Sequence, residues 1–160
     1  MNKKLGILAL AVCFSLTSMQ MGFAQENYTV FVGYDSWDNE IEKDVGDVTA
    51  HIEDPLNLVI YVGNAYPTYV AYVNFTIKHM GNENAPEVFL ACIDINNPYA
   101  GVEMDIDITD LNGDPIPIGT SLLPGETLEG MITITVLNEV DEDTSYSFGV
   151  GLTFSELLSN

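Results

Sequence analysis

Two histidines, His51 and His79, and two cysteines, Cys13 and Cys92, are the whole stock of imidazole and thiol in the chain. His51-Ile-Glu53 has the beginnings of a zinc-protease helix. That chemistry, however, needs the carboxylate beside the first histidine and a second histidine one helical turn on, so that both ligands share a face. Neither condition holds, and no Gly-x-Ser-x-Gly elbow occurs elsewhere. Cys92 lies in a strongly apolar run, where a thiol is more often a buried packing group than a nucleophile. A copper site would need a cysteine, two histidines and a weak methionine brought together. His79, Met80 and Cys92 do not present such an order. The sequence therefore predicts a protein that is not an enzyme.

Oxygen chemistry is richer. Asp105, Asp107, Asp110, Asn112 and Asp114 cluster around Gly113, and hard cations such as Ca²⁺ take carboxylate and amide oxygens on a tight turn. The glycine stands at the fourth position of the run rather than the sixth, and no glutamate closes a twelve-residue loop. Two readings stay open: a Ca²⁺ site, or an Asp/Asn/Gly turn beside a solvated acidic strand. Ca²⁺ is the only cofactor these residues suggest; otherwise none is expected. Asn27-Tyr-Thr29 and Asn74-Phe-Thr76 match the acceptor pattern for N-glycosylation. Tyr61, Tyr66, Tyr69 and Tyr72 would make a glycan platform only if their rings were exposed and coplanar; packing at a sheet edge is the commoner use.

The segments that carry these groups begin with Met1-Asn-Lys3-Lys4, an apolar run from Leu5 to Leu16, and Gly22-Phe23-Ala24. This is the plan of a secretory signal peptide over residues 1–24. The apolar run falls short of the roughly 20 residues that span a bilayer. Cleavage after Ala24 would leave Lys43 and Lys78 against 24 acidic residues, with no arginine and Cys92 as the sole cysteine. Two cations against that many carboxylates cannot neutralise phosphate, which excludes nucleic acid. Membrane insertion after cleavage is not expected, and the location predicted is extracellular or on the cell surface.

Tyr28–Tyr34 reads as a first strand, with Val30, Val32 and Tyr34 on one face and Thr29, Phe31 and Gly33 on the other. Asp35 to Asp47 reads as an acidic linker. Further strands follow at 45–52, 58–62, 68–78, 88–95, 102–108, 128–137 and 146–154. In the fourth, Ala71, Val73, Phe75 and Ile77 alternate with Tyr72, Asn74, Thr76 and Lys78. About eight strands separated by turns predict an all-β fold, a two-sheet jelly-roll or immunoglobulin-like β-sandwich. The domain plan is a signal peptide at 1–24, an N-terminal strand and linker at 25–47, and the sandwich at 48–160.

Three features carry a resemblance: Asn64-Ala-Tyr-Pro67-Thr-Tyr69 leading into an alternating strand; Leu123-Pro-Gly125-Glu before another; and Tyr146-x-Phe148-x-Val150 after an acidic loop. Together they span roughly residues 60–156 and make the chain similar to the secreted fibre-forming family that includes the biofilm matrix protein TasA, camelysin and archaeal bundling-pilus subunits. The resemblance implies a jelly-roll that polymerises by donor-strand exchange. The donor would hold Tyr28, Val30, Phe31, Val32 and Tyr34, the hinge would be Asp35–Asp47, and the partners would be further copies of the chain. Strand addition supplies a main-chain ladder, while alternate side chains fill pockets. The alternative is a monomeric cell-surface or glycan-binding β-sandwich module.

Overall fold

A computed structural model describes residues 29–40, 45–141 and 143–156 of the chain. The fold is all-β: β1 (Thr29–Asp38), β2 (Asp47–Asp54), β3 (Asn57–Ala65), β4 (Val70–His79), β5 (Val88–Asn96), β6 (Val102–Thr109), β7 (Ser121–Leu122), β8 (Thr127–Val136) and β9 (Thr144–Glu156). They form a four-stranded sheet in the order β1-β4-β8-β6 and a five-stranded sheet in the order β2-β3-β9-β5-β7. All pairings are antiparallel. Among the described residues no helix is long and apolar enough to cross a membrane.

The period-2 pattern of β4 and β8 explains the layering. Ala71, Val73, Phe75 and Ile77 of β4 and Ile132, Ile134 and Val136 of β8 are buried against Leu58, Ile60, Phe148 and Val150 of the facing sheet. Each strand thus sends one side into a shared core and leaves the other to water. Gly130 permits the closest approach within this core. A Cβ there would run into the Phe75 ring, which fills the space a side chain would otherwise need.

Only β2 and β3 form a hairpin within one sheet; every other pair of consecutive strands lies in different sheets. That hairpin turns on Asp54, whose carboxylate accepts from the Leu56 N–H at 2.8 Å and from the Asn57 side-chain amide at 2.7 Å. β4 is entered through Thr68, a β-branched residue held at a φ of +73°. This is the left-handed region that glycine adopts without penalty. Its N–H donates to Val136 O at 3.0 Å, which ties the strained residue to the end of β8.

The sandwich agrees with the fold read from the sequence, with two differences. One strand more is present than the alternation revealed, because β7 is two residues long and follows a Pro/Gly-rich loop. The first strand also runs four residues further than expected: Asp35 to Asp38 belong to β1 and not to a linker.

Candidate functional site

β1 is the candidate functional element. It pairs with β4 from Thr29↔His79 to Asp38↔Ala71 and forms one edge of the four-stranded sheet. The register slips between Phe31 and Gly33, so Val32 is an extra residue without a partner. A bulge of this kind exchanges the faces of the residues on either side of it. The expectation that Val30, Val32 and Tyr34 share one face is therefore corrected: Val30 pairs with Lys78 and Tyr34 with Phe75, on opposite faces. Phe31 is the buried anchor, its ring edge-on to Phe75 at 5.5 Å. Val30 is half-buried, while Val32 and Tyr34 keep 45% and 48% of their surface exposed. Tyr28 and Asn27 lie outside the described residues.

The bulge also has a main-chain use. The Phe31 N–H donates to Pro55 O at 2.9 Å, reaching the β2–β3 turn of the opposite sheet. Further on, the Ser36 hydroxyl donates to Val48 O of β2 at 3.1 Å. β1 thus bridges the two sheets along this side of the sandwich.

The C-terminal end of β1 is clamped. Asn39 and Val70 bond reciprocally: the Asn39 N–H donates to Val70 O at 3.0 Å, and the Val70 N–H donates to Asn39 Oδ1 at 3.1 Å. The Tyr69 hydroxyl donates to Asp38 Oδ2 at 2.9 Å from a fully buried ring. Burial, then the bond to Asp38, then the field of Asp38, Glu40 and Asp47 push the Tyr69 phenol well above its usual pKa. Gly46 lies against that ring, where a Cβ would collide with it. Glu40 accepts from the N–H groups of Val45 at 2.7 Å and Gly46 at 3.0 Å. Desolvation raises the Glu40 pKa, but these N–H groups and the Tyr66 hydroxyl outweigh it and hold the carboxyl below its usual value. Of the described residues in Asp35–Asp47, Asp35 to Asp38 are strand, Asn39 is clamped to Val70, and Glu40 accepts from Val45 and Gly46. Sequence reading missed Asp38, Asn39, Glu40 and Tyr69 as a group, because nothing in their spacing says that they meet.

The remaining candidates are scattered. Trp37 stacks on Tyr72 across β1 and β4, with centroids 5.5 Å apart and planes at 18°, on the outer face of the sheet. Tyr61 is exposed on β3 of the other sheet, and Tyr69 is in the core, so the four tyrosines form no single platform. Asn74 is exposed on the outer face of β4.

Asp105 and Asp107 are exposed on β6. Asp110 turns its carboxylate onto its own loop, accepting from the N–H groups of Asn112 at 2.8 Å and Asp114 at 2.9 Å and from the Asn112 side chain at 3.1 Å. The Asp114 N–H, followed by Asn112, holds the Asp110 carboxyl below its usual pKa. The turn is thus an Asx turn built on Asp110. Among the described residues no group of three or more His, Cys, Asp and Glu side chains converges as metal ligands would.

His51 is exposed on β2, while His79 is buried at the end of β4, so the two imidazoles are not brought together. The Gly81 N–H donates to His79 Nδ1 at 3.1 Å, and Nε2 lies 3.0 Å from Pro86 O. This pairing fits the neutral ring carrying its proton on Nε2. Cys92 is half-buried on β5 and disulfide-bonded, which corrects the expectation of a buried free thiol.

No family model, curated protein or solved structure matches the chain.

Proposed function

We propose that this chain is a secreted structural subunit that polymerises by donor-strand complementation into extracellular filaments, of the pilus or biofilm-matrix kind. The N-terminal strand of one copy would take the place of β1 beside β4 of the next. The observation that carries the reading is the place of β1: an N-terminal strand at the edge of its sheet, whose one strand partner is β4 and whose one buried large apolar side chain is Phe31. In the single chain that ladder is made within the same molecule. Exchange replaces it by an identical ladder between molecules, so the enthalpy of pairing is conserved while a heterologous contact propagates. The sequence resemblance to fibre-forming proteins points the same way, as does the signal-peptide pattern.

The test leaves the fold intact. Asp35 and Asn74 are exposed cross-strand partners, so Asp35→Cys with Asn74→Cys fastens β1 to its own domain. Oxidised protein is expected to stay monomeric by electron microscopy and to form filaments once reduced, while the unsubstituted chain, whose Cys92 bond is reduced by the same treatment, forms them before and after. Filaments of equal number from the oxidised protein would refute the proposal.

A second reading, a monomeric glycan-binding surface module, draws on the Trp37–Tyr72 stack beside Asp35 and Asn74. An exposed indole flanked by hydrogen-bonding groups suits a sugar ring. Trp37→Ala would abolish retention on the glycan while leaving assembly unchanged.

A further inference from the structure

β6 lies at the edge of its sheet opposite β1. Its ladder with β8 runs from Val102↔Val136 to Thr109↔Glu129. On its outer side, Ile108 O accepts from the Ile116 N–H at 2.8 Å, and Thr109 bridges to Pro115. Between Glu103 and Asp107 no backbone group is bonded outside the ladder with β8, among the described residues. This stretch is an open edge.

Its side chains divide by face. Glu103, Asp105 and Asp107 are exposed on the outer face, opposite Thr135, Thr133 and Met131 of β8, so no cation of the neighbouring strand meets them. Met104 and Ile106 belong to the inner face yet are only half-buried. Ile93 and Ile95 of β5, which borders the same side in the other sheet, are half-buried as well. Half-buried apolar side chains thus line the inner side of a free main-chain edge. Next to it, on the outer face, a cavity of about 470 Å³ has Asp107 and Glu129 among its walls.

We infer that the β6 edge binds, by strand addition, an extended segment of another protein in which basic and apolar residues alternate. Apolar side chains of that segment cover the half-buried Met104 and Ile106 on the inner face. Its lysines or arginines come to lie opposite Glu103, Asp105 and Asp107, where opposite charges on one face stabilise a strand pair and like charges oppose it. The charge pattern also decides against a second copy of this chain. Its only basic residues are Lys3, Lys4, Lys43 and Lys78, and no strand of it alternates cations with apolar groups. Acidic edge residues keep β6 from pairing with β6 of a neighbour. The edge is thus closed to the chain itself and open to a basic strand.

The full chain is titrated with a fluorescent peptide alternating lysine with valine, with a peptide of the same composition in two blocks, and with one alternating glutamate with valine. The alternating basic peptide is expected to bind roughly tenfold tighter than the block peptide, as cross-strand pairing predicts. It should protect amides of β6 from hydrogen exchange, and the glutamate peptide should not bind. Asp105→Lys, at an exposed position, should weaken the basic peptide roughly tenfold without altering the melting temperature. Equal affinity for alternating and block peptides would overturn the inference by reducing the effect to net charge. So would unchanged binding by Asp105→Lys, or protection that appears on β1 and β4 instead of β6.

Discussion

Replacing Tyr69 with phenylalanine removes one oxygen from the clamp and nothing else. The ring is fully buried and stays in place, while Asp38 Oδ2 loses the 2.9 Å bond donated by the hydroxyl. A hydrogen bond to a charged group contributes about 1.5–3 kcal/mol. Asp38 is half-buried, so water can reach part of the freed carboxylate, and the lower end applies: about 1–2 kcal/mol. At this chain length that lowers the thermal midpoint by roughly 3–8 °C. The variant should also change the alkaline limb. A phenol whose folded pKa is raised contributes stability that is complete below the unfolded value, about 10, and is lost as pH rises through the folded value. Wild-type protein should therefore weaken above that pH, and Tyr69→Phe should weaken less. Circular dichroism melts across pH measure both effects, and hydrogen exchange at the amides of Trp37 to Asn39 measures the local one. An unchanged midpoint with an unchanged alkaline limb would refute the view that this hydroxyl fastens the end of β1. A general loss of stability without faster exchange at those amides would refute it as well.

Thr68→Gly should raise stability by about 1 kcal/mol, because glycine accepts a φ of +73° that costs a β-branched residue roughly 1–2 kcal/mol; chemical denaturation at constant m-value reads it. Gly130→Ala should lower stability by about 1–3 kcal/mol through collision with the Phe75 ring, and Gly130→Ala combined with Phe75→Leu should recover part of that loss.

The parts of the fold that were legible are those in which one physical rule acts without interference. β4 and β8 alternate strictly over their length, and burial follows residue by residue. β1 is not such a case. Its apolar residues fall on both faces in the sequence, and only the slip at Val32 decides that Phe31 goes in while Val32 stays out. A bulge of one residue leaves no mark in composition. The clamp was equally hidden: Asp38 and Tyr69 are 31 residues apart, and each by itself resembles an ordinary loop residue. β7 was missed because two residues carry no period. The acidic alternation of β6 was plain in the sequence, but that its other side lies open could be known only from the order of strands.

That order has a kinetic meaning. β3 has its inner neighbour in β9 and β4 has its own in β8, so the centres of both sheets wait for the last third of the chain. With one hairpin and otherwise long-range pairings, the contact order is high and folding is expected to be slow. A chain emerging in sequence cannot assemble Leu58 and Ile60 against Val150 and Phe148 until residues beyond Thr144 have appeared. The four-stranded sheet has all its strands once Val136 has appeared, while the facing sheet lacks its centre until β9 arrives to complete the core.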